Sequence, residues 1–467
     1  MKKTLLTAAM AAAFGHAPAS FATNWFQLQN NEQPGAASYT FWGFIQPTYT
    51  HNEGGTVNGI PATVVSPVNG ANVAVPAGLR AYNGQIPLFN LVGPDLAHDD
   101  QLQMFRARPG VRGVIPGTDE KINYFALAEL GNNGLTREKH AVFTDASVTF
   151  NQIPGARIRA GLGRLPLGEE AMQGVHIMDY INFTTATDQL LNERFVTPYV
   201  NAPGRTSPAV VGAPMAMSKI TGAIGGFRDV GIEVYDWFAR DKMEYSYAVM
   251  LSNGNGLSFS DSNGSKDVTA RLQAAYVFGG NGAKREDVMA YIWHQEGKRT
   301  YNGSDYTRTR EGVGAKYLRN ELRMSGEYMR AKGMIYVAPT PQFNDIGAPA
   351  YEPVDYVALN SSNKADGYYL EAGWKFSPQW ELDLRYDELS KMTNSAYDER
   401  KSSTWTLGGQ YFHNPKLRFA LNYEIRDIKV VHPDAQLTNG QKIQGTAAGI
   451  IGGSEGNRLS AQMTWVF

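Results

Sequence analysis

The sequence predicts an all-β protein, a transmembrane antiparallel up-and-down β-barrel of about 16 strands with short periplasmic turns and long extracellular loops. Three observations predict it: apolar and polar residues alternate, short and long connections alternate, and the composition is rich in tyrosine and glycine. The 467 residues include 24 Tyr and 49 Gly, and the only long apolar run lies at the N-terminus. This composition is typical of barrels that carry aromatic belts.

The alternation is clearest near the C-terminus. Residues 459–467 place Leu, Ala, Met, Trp and Phe on one face of a strand, and Ser, Gln and Thr on the other, because successive side chains of a strand point to opposite faces. A strand of this kind suits a sheet with lipid outside and water inside. The final residue, Phe467, resembles the C-terminal signature of bacterial outer-membrane proteins, and we expect it to act as the assembly signal.

Sixteen segments have strand character. They span residues 38–50, 101–115, 121–131, 140–150, 156–164, 227–238, 243–252, 267–279, 285–296, 305–318, 321–333, 365–376, 379–391, 402–413, 417–430 and 456–467. Every other connection is short, and the longest ones are 51–100, 165–226, 334–364 and 431–455. Such alternation is typical of a membrane barrel. A barrel of this size is expected to enclose a water-filled lumen.

The N-terminus predicts export. Residues 1–22 have two lysines, an apolar middle and a small-x-small site ending at Ala22, which is the pattern of a secretory signal peptide. We therefore expect export through the Sec pathway to the outer membrane of a Gram-negative bacterium. Residues 23–37 are predicted to form a periplasmic N-terminal segment, and residues 38–467 the barrel.

Composition excludes several functions. The chain has no cysteine, which excludes disulfides, c-type haem attachment and thiol catalysis. Its net charge of −1 gives no reason to expect a nucleic-acid partner. No G-x-S-x-G motif is present, so we expect neither an enzyme nor a cofactor. The acidic and histidine-containing loops at 98–100, 176–179 and 261–265 could bind a divalent ion, but we interpret them as solvated turns without a metal.

Basic residues recur at even spacing on the second and fifth predicted strands. Because the lipid face cannot cheaply hold several arginines, these rows should point into the lumen. The predicted pore-lining cations are Arg106, Arg108, Arg112, Arg157, Arg159, Arg164, Arg271 and Lys316. An arginine ladder along a pore would favour anions. The alternative is pairing with carboxylates of the wall, such as Glu129, Asp145, Glu233, Glu327, Glu371 and Asp383, which would neutralise the ladder.

These motifs resemble the phosphate-selective porin O/P family of trimeric outer-membrane channels. The resemblance rests on the R-x-R-x-G-V-x-G strand at Arg106–Gly113, on the strand and Gly/Pro loop at Arg159–Glu169, and on the Glu-Arg element at Asn192–Phe195. Leu162, Gly163, Arg164 and Leu167 depart from the family's usual G-Q-aromatic-K-x-P-aromatic-G pattern, although Arg164 keeps the positive charge. The resemblance implies a 16-stranded homotrimer with one inward loop narrowing each pore.

The constriction loop is expected within residues 165–226. Its charged residues have both signs: Glu169, Glu170, Asp179, Asp188, Glu193 and Arg194. Opposite charges across a constriction would create a transverse field. The sequence thus predicts a porin for passive diffusion of small hydrophilic solutes or anions, with lipid as its surroundings. Two alternatives stay open, namely the barrel sheath of a porin–cytochrome conduit and a non-conducting receptor or adhesin.

Overall fold

The computed structural model describes most of the predicted barrel. The described residues are 24–28, 36–54, 57–75, 80, 83, 100–136, 140–192, 194–198, 218–261, 264–280, 285–301, 304–337, 356–358, 360–395, 398–431 and 438–467. The predicted signal peptide, residues 1–22, lies outside them.

Sixteen antiparallel strands form a closed barrel, which confirms the predicted fold class. The strands are β1 (Thr40–Asn52), β2 (Asp100–Val114), β3 (Ile122–Glu129), β4 (Val142–Ile153), β5 (Ala156–Arg164), β6 (Arg228–Arg240), β7 (Met243–Ser252), β8 (Asp267–Gly279), β9 (Glu286–Tyr301), β10 (Ser304–Arg319), β11 (Leu322–Lys332), β12 (Lys364–Trp374), β13 (Trp380–Lys391), β14 (Arg400–Asn414), β15 (Leu417–Val430) and β16 (Arg458–Val466). Since β1 pairs with both β2 and β16, the barrel sheet has no free edge.

The strands β9 and β10 extend further than predicted and pair up to Tyr301 and Ser304. Their outer residues change from apolar to charged or polar beyond Ile292, where His294 and Glu296 follow. Backbone hydrogen bonds between the strands do not depend on the polarity of the side chains, so the pairing continues beyond Ile292. The apolar alternation therefore marks only the lipid-facing part of these strands.

Short turns connect the strands at the periplasmic end. Asn320 lies between β10 and β11 with a φ of 53°, and Asp241 lies between β6 and β7 with a φ of 55°. Asn and Asp tolerate this left-handed conformation because their side chains hydrogen-bond locally. These tight turns hold the neighbouring strands in register.

The third helix replaces part of a predicted loop. The α-helices within the described residues are α1 (Trp25–Leu28), α2 (Glu169–Met172) and α3 (Asn439–Gly453). Thr438 and Gln441 form a capping box at the start of α3, a signal that the T-x-x-Q spacing carries. One face of α3 packs against Val57, Ile60 and other residues that follow β1. No helix in the described ranges is long and apolar enough to cross a membrane.

The two faces of the barrel reverse the arrangement of a soluble protein. Leucine, isoleucine and tryptophan side chains are exposed on the outer face, for example Ile232 at 56% and Trp374 at 56%. By contrast, Arg106, Arg271 and Arg385 are among the largest side chains that are fully buried. An apolar outside is what lipid requires, whereas the charged inside requires ion pairs or water.

The C-terminus completes the barrel at β1. The backbone N–H of Phe467 donates to the carbonyl of Gly43 (2.9 Å), and the N–H of Gly43 donates to the carbonyl of Phe467 (3.2 Å). A Cβ atom on residue 43 would come within 2.6 Å of the Phe467 ring, so glycine leaves space for that ring. The proposed assembly signal is thus also part of the closing seam.

Candidate functional site in the barrel lumen

A long segment after β5 folds into the lumen, and we call residues 165–192 the inward segment. Its apolar side chains form one buried cluster with wall residues such as Met289, Met329 and Leu389. The members from the inward segment are Leu165, Leu167, Ala171, Val175, Met178, Phe183, Ala186, Leu190 and Leu191. The inward segment therefore packs against the wall and narrows the lumen at this level. The physical reason is that the inward segment is apolar enough to pack like a core.

Glu169 anchors the beginning of the inward segment to the wall. Its carboxylate accepts from Lys316 Nζ (2.6 Å) and from Arg271 Nη2 (3.0 Å). The glycine at position 168 lets the segment lie close to Glu327 of the wall, since a Cβ atom there would lie 2.3 Å from Oε1 of Glu327. Burial raises the pKa of Glu169, but Lys316 and Arg271 outweigh burial and hold it below the usual value. Glu169 is therefore ionised at neutral pH.

Glu170 makes a second anchor, to strand β13. It contacts Arg385 Nη1 (3.3 Å) and accepts from the backbone N–H of Thr184 (3.1 Å) and from its hydroxyl (2.5 Å). Burial raises the pKa of Glu170 to about 7, against the lowering effect of Arg385. This carboxyl group therefore titrates near neutral pH.

The inward carboxylates of β11–β13 form a surface that we call the acidic wall: Glu327, Glu371, Glu381, Asp383 and Asp387. Arg323 contacts Asp383 (2.6 Å), Glu381 (3.3 Å) and Glu371 (3.5 Å). It also binds Asp179 of the inward segment (3.1 Å). Burial and these neighbouring carboxylates raise the pKa of Asp179 well above its usual value, although Arg323 lowers it. A single guanidinium group therefore contacts four carboxylates.

The opposite surface, on β2, β5 and β6, is the basic wall: Arg106, Arg108, Arg112, Arg157, Arg159, Arg164 and Arg228. Four of its arginines pair with wall carboxylates, as the neutralising alternative predicts. The pairs are Arg108–Glu129 (2.6 Å), Arg159–Glu233 (2.6 Å), Arg228–Asp145 (3.1 Å) and Arg157–Asp236 (3.2 Å). Arg164 donates to the carbonyls of Ala171 and Gln173. The basic wall is therefore only partly neutralised by carboxylates.

Several guanidinium N–H groups of the basic wall have no hydrogen-bond partner among the described residues. They are Nε and Nη2 of Arg106, Nη1 of Arg108 and Nη2 of Arg228. Arg106, which is 1% exposed, donates through Nη1 to Gln46 (3.1 Å). These three arginines and Arg164 line one pocket, which has room for about one water-sized sphere. Buried donors of this kind attract a small anion or water.

The predicted constriction loop is only partly in the lumen. Residues 194–198 and 218–224 form strands of a separate four-stranded sheet, so the inward part ends near residue 192. Asp188 is buried in a π-helical turn, Thr187–Leu191. Arg194 begins one of the separate strands, and Glu193 lies outside the described residues.

The residues of the predicted ion-binding loop 176–179 contact other side chains of the protein. His176 stacks on Phe44 with ring centroids 5.0 Å apart, and burial lowers its pKa to about 3, with Arg164 contributing. It is therefore neutral, and its neighbour in the predicted ion loop, Asp179, instead binds Arg323. His98 lies outside the described residues.

Sequence reasoning missed the residues that hold the inward segment from the acidic wall. Arg323 and Arg385 lie on the inner face of their strands, and the alternation that placed Arg106 could have placed them too. Their partners, however, come from a loop more than 130 residues earlier in the chain. No spacing in the sequence indicates such a pairing.

Comparisons with known proteins add the following findings. A family model described as phosphate-selective porin O and P matches residues 350–448, which confirms the resemblance, although over a different segment from the motifs that suggested it. No curated protein sequence matches the chain. The structure is similar to OmpF of Salmonella typhi in complex with daunomycin, with 13% identity, a TM-score of 0.51 and coverage of 92% of this chain and 97% of that one.

Two further solved structures are similar at lower TM-scores. An anion-selective porin from Comamonas acidovorans is 14% identical, with a TM-score of 0.49 and coverage of 92% of this chain and 100% of that one. The outer-membrane channel DcaP of Acinetobacter baumannii is 11% identical, with a TM-score of 0.46 and coverage of 93% and 99%. At these identities the likeness concerns the fold.

Proposed function

We infer that this chain, which has a bacterial porin fold and a segment matching the phosphate-selective porin O and P model, forms an outer-membrane channel for passive diffusion of small hydrophilic solutes. An apolar outer face and a charged inner face support this function. A channel of this kind needs no catalytic group. The finer proposals are a preference for anions, a homotrimer and export through the Sec pathway.

The observation that carries the anion preference is the set of unpartnered N–H groups on Arg106, Arg108 and Arg228. A buried donor without a partner costs free energy, and an entering anion would offset this cost. Arg106 forms no ion pair with a carboxylate of the described chain; its guanidinium carbon instead lies 4.1 Å from the centroid of the Phe105 ring. The basic wall can therefore bind an anion without first breaking an ion pair at Arg106.

The chain's own inward segment argues against the sheath alternative. A conduit would need its lumen free for a redox partner, but the inward segment packs against β8, β9 and β11–β13 at mid-height. Wall residues at this level, such as Met289 and Met329, are fully buried. The inward segment thus occupies lumen space that a redox partner would need.

The outer face of β3–β5 supports the homotrimer. Short side chains pair across these strands, namely Ala126 with Ala146 and Val148 with Ala160. The outer face of β13–β15 instead carries long side chains, for example Leu382, Leu407 and Leu421. Short side chains between exposed aromatics such as Phe143 and Phe150 would let another barrel approach closely, as small residues do between membrane helices.

The test is the reversal potential of the refolded protein in a planar bilayer under a KCl gradient. We expect reversal on the anion side, and the Arg106→Glu variant should weaken it. Arg330→Glu is the matched control, because Arg330 lies on the outer face and bonds to Tyr328. Reversal on the cation side, unchanged by Arg106→Glu, would refute the anion preference. Absence of conductance from a folded barrel would favour the receptor or adhesin.

A further inference from the structure

The segment before the barrel lies inside the lumen. Asn24, Trp25 and Phe26 are only 1%, 4% and 3% exposed, although residues 23–37 were predicted as a periplasmic lead-in. Nδ2 of Asn24 donates to Oε1 of Glu244 (2.8 Å) and to Oγ of Ser246 (2.8 Å). Because Glu244 follows directly on the β6–β7 turn, the segment occupies the periplasmic end of the lumen.

The same segment contacts the main anchor of the inward segment. Nε1 of Trp25 donates to Oε1 of Glu169 (2.5 Å), and Nζ of Lys316 lies 5.1 Å from the centroid of the Trp25 ring. Trp25 and Phe26 also belong to one apolar cluster with Met172. Trp25 therefore holds Glu169 together with Lys316 and covers the ion pair.

Its described attachments to the strands of the wall are hydrogen bonds and apolar contacts, without an ion pair. Besides the bonds of Asn24, Gln27 donates through Nε2 to Glu244 (2.5 Å), and Phe26 packs on Tyr235 with ring centroids 5.8 Å apart. A four-residue helix such as α1 is not stable on its own. The inward segment, in contrast, is held by ion pairs from Lys316, Arg271, Arg323 and Arg385. Of the two elements, the N-terminal one is expected to open at the lower free energy.

We propose that Asn24–Gln27 form a second constriction element, which narrows the periplasmic half of the pore and positions Glu169 through Trp25. This inference rests on the proposed porin function. Displacement of the element uncovers Lys316 and widens the path beside the inward segment. Trp25 is a positioning residue, since it acts on the pore charge through Glu169.

The first experiment measures the unitary conductance of a Trp25→Ala/Phe26→Ala variant refolded from inclusion bodies. We expect a rise of roughly 1.5- to 2-fold, because conductance grows with the open cross-section of the pore. Phe259→Ala is the matched control, since Phe259 is 68% exposed and its truncation should change nothing. Equal conductance of the double variant and the wild type would overturn the constriction element and leave the porin intact. If neither conducts, the proposed function itself fails, and the inference fails with it.

The second experiment places a single thiol in the element. The chain has no cysteine, so Gln27→Cys can be labelled selectively by charged methanethiosulfonate reagents. We expect labelling from the periplasmic side to lower the current, and reagents of opposite charge to shift the reversal potential in opposite directions. Val68→Cys, at a position 73% exposed, should be labelled without either change. Labelling of Gln27→Cys that leaves current and reversal potential unchanged would refute the proposal.

Discussion

The basic and acidic walls face the same inward segment but satisfy their charges differently. On the basic wall, each of four arginines has its own carboxylate, and N–H groups of Arg106 remain without partners. On the acidic wall, Arg323 alone contacts four carboxylates. Both walls follow the same alternation of strand residues. The difference lies in the ratio of the two charge signs, which favours cationic groups on one side and anionic groups on the other.

This difference indicates that the two walls have different roles in the lumen. The acidic wall fastens the inward segment, because Asp179 shares Arg323 and Glu170 is held by Arg385. On the basic wall, Arg106 has two N–H groups without a partner in the described part of the chain, whereas Arg323 and Arg385 have one each. Opposite charge signs on the two facing walls would create a field across the lumen, and such a transverse field stays a prediction. Loss of the shared cation Arg323 should therefore change stability most, whereas a change of a single wall charge should mainly change selectivity.

The largest effect is expected from Arg323→Ala. Removal of this guanidinium leaves four carboxylates close together without their shared cation, and breaking one buried pair alone costs about 3–5 kcal/mol. We expect a clear loss in the free energy of unfolding, measured by urea denaturation of the refolded barrel. The Arg159→Ala variant of the basic wall is the comparison, because Arg159 pairs with a single carboxylate, Glu233.

The double variant Arg323→Ala/Asp383→Asn should recover part of the lost stability, since one charge of the crowded set is then removed. Equal losses for Arg323→Ala and Arg159→Ala would contradict the difference between the walls.

A smaller, pH-dependent effect is expected at Glu170. Its pKa is raised to about 7 in the folded protein, so the folded state binds a proton that the unfolded state has released. Its stabilising contribution is therefore present at low pH and is lost as pH rises toward 7. We expect the wild type to lose stability between pH 5 and 8, by at most about 3 kcal/mol.

The Glu170→Gln variant keeps an acceptor for Thr184 but cannot titrate. Thermal unfolding followed by circular dichroism at several pH values should show a flatter profile for this variant. A profile as steep as that of the wild type would assign the pH dependence to another group, such as Asp179.

The smallest effect is expected from Glu371→Gln, which removes one charge from the acidic wall. The Glu371 carboxylate accepts from Ser325 (2.6 Å) and is the most distant of Arg323's partners, at 3.5 Å. A unit charge about 4 Å from a passing ion contributes about 1 kcal/mol in water. We therefore expect the anion-to-cation permeability ratio to rise by about fivefold, measured from the reversal potential.

Glu311→Gln serves as the control for this measurement, because Glu311 is half exposed on the outer face. A shift of the same size in Glu311→Gln would show that the charge of the whole barrel, and not the acidic wall, sets the permeability ratio.

Much of the barrel could be predicted because alternation is a local property. The predicted strand 379–391 corresponds to β13, which exposes Trp380, Leu382 and Leu384 on its outer face and pairs over its full length. Helix α3 was not predicted, because the connection 431–455 was interpreted as a loop from its length and composition alone. The tight capping signal at Thr438 was present, but glycines at 440, 445 and 449 weaken the helical pattern.

The candidate site was less predictable than the fold. The inward direction of Arg106, Arg108 and Arg159 follows from their spacing, since lipid excludes rows of charge. Their pairing with Glu129 and Glu233 was an open alternative, because alternation gives the face of a residue and not its height along the barrel. Register between strands decides which charges meet.

By itself, the sequence determined the closed sheet, its apolar outside and its charged inside, because these depend on side-chain alternation and on the different solvents of the two faces. Only the tertiary structure decided that residues 165–192 fold inward and narrow the lumen, that Arg323 contacts four carboxylates, and that Trp25 donates to Glu169. These contacts join residues far apart in the chain. The free energy of each contact depends on how deeply both partners are buried and on the distance between them. A local sequence pattern gives neither quantity.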